Sequence, residues 1–409
     1  MPTQILRVLL GLTLAGFVCA CTGTVSGGDG GADLQDAAMT DDGPGGDDGQ
    51  GGEDAGGDPG SDPGRDAGTD AGTDAGTDAG ADAGSDSGAD AGTDAGADAG
   101  GDGGWNGRYF PEGSVWYQDI SNAPKDSQSD AVIAWLNAAG GFGYGRLQID
   151  FSIEVLHVFS PLSLSAFETT DDFYSPDCDH VPVPVPPGGA IEGETGYECE
   201  SDGDCHLIVA YHPTHTLYEM WRCNITGGTF YGGCLAVWDM TRVYPPEGRG
   251  DQCTSADAAG YPIAPLLFSA DEVAAGHIDH AIRFILPNAR IRRGEYLHPA
   301  THSTSAASGG PDAPPYGIRL RLRADYPLAT LPNEGARTVA RALQRYGMFL
   351  ADGGNIALTA QSDRFTVAKW DNLLGPRDLS AIQVTDFEMV EGGARIPYTG
   401  DCRRTPLGR

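Results

Sequence analysis

Glu219, Asp239 and His280 are the side chains of this sequence best suited to acid–base chemistry. Glu219 stands two positions before Trp221, and Asp239 directly follows Trp238. Cleavage of a glycosidic bond needs such neighbours, because one carboxyl must be kept protonated by desolvation while aromatic rings stack on the sugar. The pattern therefore predicts a polysaccharide hydrolase or lyase in which Trp221 and Trp238 bind substrate and no cofactor takes part.

Each of these candidates also has a structural interpretation. A single acid within a strand is often exposed or ion-paired, and Glu219 would need a partner or a raised pKa if it faces inward. A histidine on an apolar strand face is often a core residue, whereas His280 acting as a general base would be oriented by a carboxylate such as Asp239. His302 is a further catalytic candidate from a loop, although loop histidines are often merely exposed.

Arg283 and the alternating Arg319, Arg321 and Arg323 are candidate substrate-binding residues. Apolar residues separate the last three, so these arginines are expected together on the outer face of a strand. Guanidinium groups bind carboxylate or sulfate groups through paired hydrogen bonds, which suits an acidic polysaccharide. The alternative is that the arginines only balance neighbouring acids on a solvated sheet face.

Several function classes are disfavoured by the sequence. It contains no His-Glu-x-x-His metalloprotease motif, no Gly-x-Ser-x-Gly nucleophile turn and no phosphate-binding glycine loop. The formal net charge of −33 argues against nucleic acid as a partner, because acidic proteins repel phosphate. Asp202 and Asp204 form a possible calcium pair, but the further oxygen ligands of a calcium loop are missing, so no metal site is predicted.

The strand and helix patterns predict a mainly β domain of antiparallel sheets, arranged as a sandwich or jelly roll with two or three short helices. A three-strand meander is expected within 199–240. Helical spacing predicts helices over 127–139 and 333–346, and one helical turn before Gly276. Further strands are predicted over 147–151, 153–159, 278–286, 317–324 and 382–390, and the segments 348–350 and 356–358 are expected to form a hairpin.

The N-terminus carries the signs of an exported protein. Residues 1–20 indicate an export signal, and Val18-Cys-Ala-Cys21 resembles the bacterial lipobox, whose cysteine is lipidated and becomes the mature N-terminus. That resemblance implies a membrane anchor on Cys21 and, with Thr22 next to it, a place at the outer membrane or cell surface. The alternative is an ordinary signal peptide cut after Ala20.

Residues 21–104 form an acidic low-complexity segment with 21 acids and one base. Its few large apolar residues cannot build a core, so we expect a disordered tether that charge repulsion extends. Calcium-binding solenoid repeats are an alternative for an Asp/Gly tract, but they require an apolar residue in each turn. The remaining residues, 105–409, are expected to form one globular domain that acts as a monomer.

Seven cysteines lie in the predicted domain, an odd number that leaves one thiol unpaired. An exported protein tolerates disulfides, and Cys199 with Cys205 or Cys223 with Cys234 would close local loops. Cys402 would attach the C-terminal tail to the body of the domain. Spacing leaves the connectivity open, and a zinc cluster is the alternative, although no Cys-x-x-Cys pair is present.

Four segments form a recognisable set: Thr254-Ser-Ala-Asp-Ala-Ala-Gly-Tyr-Pro-Ile263, Asp271-Glu-Val-Ala-Ala-Gly-His-Ile-Asp-His-Ala-Ile-Arg-Phe284, Pro299-Ala-Thr-His302 and Tyr346-Gly-Met-Phe-Leu-Ala-Asp352. Together they resemble a group of exported bacterial proteins of actinobacteria and myxobacteria-like species. The resemblance covers most of 116–390. It implies one domain with a functional site near His280, His302 and Asp352, and it implies no particular activity.

Three functions are therefore compatible with the sequence. The first is a surface-anchored enzyme acting on polysaccharide, and the second is a non-catalytic carbohydrate-binding or adhesion lipoprotein. The third is a structural protein of the cell envelope. The enzyme hypothesis requires Glu219, Asp239 and His280 to meet at one cleft.

Overall fold

A computed structural model of the chain describes residues 105–201 and 203–408, which form a mainly β structure with three α-helices. The mainly β prediction is thereby confirmed. The predicted signal peptide, the lipidation site at Cys21 and the acidic tether lie outside the described residues, as does Asp202.

The helices are α1 (Ser129–Ala138), α2 (Ala270–Ala275) and α3 (Glu334–Arg345), and they confirm the three predicted helical segments. Asn333 caps α3 by accepting a hydrogen bond from the Ala336 backbone N–H at 2.8 Å. Alanine, valine and leucine side chains of α3 are buried, while its arginines lie towards solvent. No helix in the described part of the chain is long and apolar enough to cross a membrane.

Helix α2 begins with a capping box that also ties the helix to the following segment. The Ser269 hydroxyl accepts from the Glu272 backbone N–H at 3.3 Å, and the Glu272 carboxylate accepts from the Ser269 backbone N–H at 2.9 Å. The other oxygen of Glu272 lies 3.2 Å from Nε2 of His280. Gly276 ends the helix with a φ of 84°, a conformation that glycine adopts without strain.

Loss of this cap should weaken the fold by a small, measurable amount. We expect Ser269→Ala to lower the free energy of unfolding by about 1 kcal/mol, because the orphan N–H groups of the first turn lose their acceptor. Urea unfolding followed by circular dichroism measures the change. Ser269→Thr, which keeps the hydroxyl, is the control, and an equal loss in both variants would contradict the capping role.

Seventeen strands form five sheets in the described part of the chain. They are β1 (Ile149–Ile153), β2 (Leu156–Val158), β3 (Leu164–Ser165), β4 (Glu168–Thr169), β5 (Val183–Pro184), β6 (Leu207–Tyr211), β7 (Thr216–Trp221), β8 (Asn224–Thr226), β9 (Thr229–Gly232), β10 (Cys234–Asp239), β11 (Ile282–Leu286), β12 (Glu295–Tyr296), β13 (Arg319–Leu322), β14 (Met348–Gly353), β15 (Leu358–Gln361), β16 (Phe387–Val390) and β17 (Ile396–Pro397).

The largest sheet has six strands in the order β1-β15-β11-β14-β13-β16. The pairs β1–β15 and β11–β14 are parallel, whereas β13 pairs antiparallel with both of its neighbours. The described strands close no barrel. The prediction of purely antiparallel sheets is therefore wrong in strand direction, because a strand pattern gives the buried face of a strand and not the direction of its neighbour.

The predicted hairpin of 348–350 and 356–358 is also wrong. Strand β11 lies between β14 and β15, so that Ile285 pairs with Asp352 and Phe284 pairs with Leu358. Residues 354–357 therefore cross over the end of β11 instead of forming a tight turn. Asp352 therefore lies at the C-terminal end of β14, next to the loop that precedes β15.

The second sheet, β10-β7-β6-β2, contains the predicted meander of β6, β7 and β10. An additional hairpin, β8–β9, is inserted between β7 and β10. One face of this sheet, with Ile208, Leu217 and Trp238, packs into the core shared with the six-stranded sheet. The opposite face, with Val209 and Leu235, packs against a second apolar cluster, so the four-stranded sheet is covered on both sides.

Three disulfides join Cys178 to Cys234, Cys199 to Cys205 and Cys253 to Cys402. The predicted odd thiol is confirmed as the buried Cys223, and Cys402 attaches the tail as expected. Pairing of Cys223 with Cys234 is wrong, because Cys234 instead bonds to a cysteine far away in sequence. Three disulfides indicate an oxidising, extracytoplasmic location for this domain.

Candidate active site

A buried arginine between two aspartates forms the centre of the site. Nη2 of Arg283, on β11, donates to Oδ1 of Asp257 and to Oδ2 of Asp352, each at 2.8 Å. Because one nitrogen binds both oxygens, the two carboxyl groups lie close together. Nη1 of Arg283 lies 3.3 Å from the Thr359 hydroxyl on β15, which fixes the orientation of the guanidinium group.

The two aspartates differ in exposure. Asp257 belongs to the loop before Ala264–Leu266 and its side chain is 0% exposed, whereas the side chain of Asp352, on β14, is 20% exposed. Burial raises the pKa of Asp257 to about 7, the Arg283 charge acts in the opposite direction, and Asp352 raises it further. Asp352 is therefore the member of the pair that reaches the cleft, and Asp257 lies beneath it.

A third carboxyl comes from the four-stranded sheet. Asp204 precedes β6, is half-buried, and accepts a hydrogen bond from the Trp221 indole N–H at the end of β7. Burial raises the pKa of Asp204 to about 6, the charge of His206 acts in the opposite direction, and the charges of Glu192 and Asp352 add to the rise. Trp221 is itself half-buried, with the guanidinium of Arg222 over its ring at 4.7 Å.

These groups line one cleft between the two large sheets. Asp204 and Asp352 contribute to both cavities of the cleft, each with a volume of about 60 Å³. That volume admits a few water molecules and not a sugar ring. The rest of the lining combines isoleucine side chains, such as Ile153 and Ile285, with the acidic Asp150 and Glu192.

The floor of the cleft contains a histidine–glutamate pair. Nδ1 of His206 lies 2.5 Å from Oε2 of Glu192, and Nε2 lies 3.1 Å from the Ala256 carbonyl oxygen. Burial by itself lowers the pKa of His206, but the Glu192 charge and hydrogen bond outweigh burial and raise it to about 9. For Glu192, burial acts upward and His206 outweighs it, so the pKa of Glu192 is below its ordinary value.

This pair predicts a specific pH dependence of stability. The folded protein holds the His206 proton more tightly than the unfolded chain does, so its contribution is complete below about pH 6.5 and is lost as the pH rises through about 9. We expect His206→Gln to remove this part of the decline. Urea unfolding of both proteins between pH 6 and pH 9.5 measures the difference, and parallel curves would contradict the assignment.

Glu219 faces inward, and both expectations attached to that orientation are met. It is 0% exposed and accepts from the Ile263 and Ala264 backbone N–H groups, each at 2.8 Å, and from the Trp238 indole N–H at 3.1 Å. Burial raises the pKa of Glu219 to about 8. Three donors already occupy its oxygens, so Glu219 and Trp238 join the β7–β10 surface to the loop before Leu266.

The other predicted catalytic residues lie elsewhere. Asp239 is exposed and accepts from the Thr241 backbone and hydroxyl groups. His280 is buried, with Nε2 beside Glu272 and Nδ1 beside its neighbouring carbonyl. His302 is buried between the Ala258 carbonyl and the Tyr398 hydroxyl. Among the described residues Glu219 and His280 are buried with different partners and Asp239 is exposed, so the predicted trio does not share one cleft.

The expected outer arginine face is also corrected. Arg319 and Arg321 are only 6% and 8% exposed, whereas Arg323 is exposed. Arg319 donates to the Tyr346 and Gln118 carbonyls, and Arg321 pairs with Glu388. The alternation of arginine and apolar residues correctly placed both arginines on one side of β13. Residues 115–123 cover that side, and their carbonyl groups accept from the two guanidinium groups. These two arginines therefore hold the fold together and do not face a polymer.

Metal ligation is not favoured by the described residues. The two clusters of potential ligands found there are Asp177 with Cys253 and Cys402, and Glu194 with Cys199 and Cys205. All four cysteines are in disulfides and cannot act as thiolate ligands. Asp204, considered above as a calcium ligand, binds the Trp221 indole instead.

Sequence reasoning alone missed the pairing of Asp257 and Asp352 through Arg283. Asp257 and Asp352 lie inside two of the four segments that resemble the group of exported bacterial proteins. The resemblance implied a functional site near Asp352 but not the pairing with Asp257. Asp204 was considered only as a calcium ligand. No protein-family model, curated protein or solved structure matches the chain.

Proposed function

We propose that this chain is an exported glycoside hydrolase in which Asp204 is the general acid and Asp352 is the carboxylate that attacks the sugar or activates water. One observation carries the proposal: two half-buried carboxyls with different surroundings line the same cleft. Glycosidic cleavage uses a protonated acid and an ionised carboxylate on either side of one bond.

The surroundings assign the roles. Burial keeps Asp204 protonated up to about pH 6, so it can give a proton to the leaving oxygen. Asp352 forms a 2.8 Å ion pair with Arg283, so we assign it the role of the carboxylate. Asp257 is a positioning residue, because it is fully buried and accepts from the same guanidinium nitrogen as Asp352.

The charge of the cleft favours a substrate without acidic groups. Arg283 is already paired with two aspartates and His206 with Glu192, and Asp150 and Asp204 add further carboxyl groups to the lining. A uronic acid or sulfated polymer would be repelled there. A lyase, which needs a carboxylate-bearing sugar, is correspondingly disfavoured, and the half-buried Trp221 lines the cleft as an aromatic contact for a neutral sugar.

The proposed setting is the bacterial cell surface. A lipid on Cys21 would anchor the chain to the outer membrane, and the acidic tether would hold the domain away from it, as the sequence predicts. A tethered hydrolase acts on polymers outside the cell. A non-catalytic carbohydrate-binding or adhesion protein is the alternative, in which Trp221 and the cleft bind glycan without cleaving it.

A panel of neutral and acidic polysaccharides tests the proposal. We expect the wild-type protein to release reducing ends from at least one neutral polymer, and Asp352→Asn to retain binding without release. Ultraviolet absorbance of unsaturated products would reveal a lyase instead. Retention on a glycan without product in either protein indicates the binding alternative, and neither retention nor product leaves a structural role.

A further inference from the structure

Trp221 is held by its backbone, one edge of its ring and one face of its ring. Its backbone pairs with Cys234 on β10, and Cys234 is joined to Cys178 by a disulfide. The indole N–H donates to Oδ1 of Asp204, and the guanidinium carbon of Arg222 lies 4.7 Å from the ring centroid. A ring engaged in these three ways has little freedom to turn.

The cation over the ring is kept there at a cost in backbone strain. Arg222 has a φ of 54°, a left-handed conformation that a non-glycine residue seldom adopts. Its Nη1 forms an ion pair with Oδ2 of Asp172 at 3.3 Å. Gly233 packs against the same ring, because a Cβ added at that residue would lie 3.3 Å from Cε3 of Trp221. Backbone strain of this kind is typical of functional sites, where the surrounding contacts maintain it.

The hydrogen bond from Trp221 distinguishes the two oxygens of Asp204. An indole N–H can only donate, so Oδ1 acts as the acceptor. In a protonated carboxyl the hydroxyl oxygen is the weaker acceptor of the two. Protonation of Oδ1 would therefore weaken the hydrogen bond, whereas protonation of Oδ2 leaves it intact, and the proton is favoured on Oδ2.

The groups around Asp204 set how readily it gives up that proton. Burial raises its pKa to about 6, His206 acts in the opposite direction, and the charges of Glu192 and Asp352 add to the rise. The hydrogen bond from Trp221 lowers the pKa, since an N–H binds a carboxylate more strongly than a neutral carboxyl. Loss of the indole N–H should therefore raise the pKa of Asp204.

We propose that Trp221 is a positioning residue that fixes the acidic proton of Asp204 on Oδ2, the oxygen that donates to the leaving group. This role depends on the hydrolysis proposed above, and Trp221 lines the same cleft. When the bond from the anomeric carbon to the leaving oxygen breaks, its electron pair stays on that oxygen and the proton from Oδ2 neutralises it. Asp352, or water that it deprotonates, supplies the new bond to carbon, and Asp204 is left as a carboxylate.

Carboxyl ¹³C NMR of the full chain titrates Asp204 without a substrate, and loss of its signal in Asp204→Asn assigns it. Trp221→Phe keeps an aromatic ring but removes the N–H donor, so we expect the Asp204 midpoint to rise by about one to two pH units. Trp105→Phe is the matched control, because this half-buried indole N–H donates to the Arg108 carbonyl instead, and it should leave the midpoint unchanged. An unchanged midpoint in Trp221→Phe, or an equal rise in the control, would overturn the proposal.

The pH profile of polysaccharide cleavage connects this hydrogen bond to catalysis. We expect Trp221→Phe to lower kcat at pH 5 about 10- to 100-fold, because the proton is no longer held on Oδ2. The fall in kcat at high pH should move upward with the NMR midpoint, and KM should change little because a ring still lines the cleft. A profile that stays in place while the midpoint rises would overturn the role of Oδ2 as donor. If wild type cleaves no polymer but the midpoint still rises, the hydrolase proposal fails and the placement of the proton on Oδ2 stands.

Discussion

Asp204→Asn should lower kcat on a cleaved polysaccharide by about 10²- to 10⁴-fold, the usual contribution of a general acid. The amide cannot donate the proton that the leaving oxygen needs, although it keeps the size of the side chain. Steady-state assays of reducing-end release measure the change. KM should change little, because the asparagine amide oxygen can still accept from the Trp221 indole N–H and keep that ring in place.

The pH profile gives this prediction a second readout. Asp204 must be protonated to act, and burial raises its pKa to about 6, so wild-type kcat should fall as the pH rises above about 6. The residual activity of Asp204→Asn should lack that decline. Ionisation of Asp204 costs the folded state free energy above about pH 6, so the variant should be at least as stable as wild type at pH 7. An unchanged profile in Asp204→Asn would remove Asp204 from the mechanism.

Arg283→Met should be the most destabilising single substitution in the cleft. Asp257 is fully buried, and loss of its cation leaves a buried carboxylate without compensation, which costs about 3–5 kcal/mol at neutral pH or above. Urea unfolding at pH 8 measures the loss. The deficit should shrink towards pH 5, because Asp257 can then take a proton.

A double variant separates the charge from the packing of Arg283. Arg283→Met with Asp257→Asn should recover part of the lost stability, because no buried charge is left unpaired. Arg345→Met breaks an ion pair with Asp119 whose side chains are 57% and 44% exposed, and it should cost no more than about 1 kcal/mol. Equal losses in Arg283→Met and Arg345→Met would mean that the buried pair contributes little.

The local structure of this protein could be predicted where one segment contains the whole cause. The helix over 334–345 follows from the spacing of its apolar residues, and the turn at Gly276 follows from a capping serine, two acids and a glycine. The odd cysteine count likewise required an unpaired thiol in the described domain once three disulfides formed. Strand parity placed Glu219 on the same face as Leu217 and Trp221, and its need for partners or a raised pKa followed once that face was inward.

Only the tertiary structure decided which side chains meet. Alternation places Arg319 and Arg321 on one side of β13, but whether water or chain covers that side depends on segments far away in sequence. Asp204, Asp257 and Asp352 likewise come from three distant segments, and they meet at one cleft because Arg283 binds Asp257 and Asp352 and the four-stranded sheet contributes Asp204. Periodicity records the conformation of each segment, whereas strand order and loop packing depend on the free energy of burying the whole chain. For that reason the sequence determined the elements, and the fold determined the acids of the site.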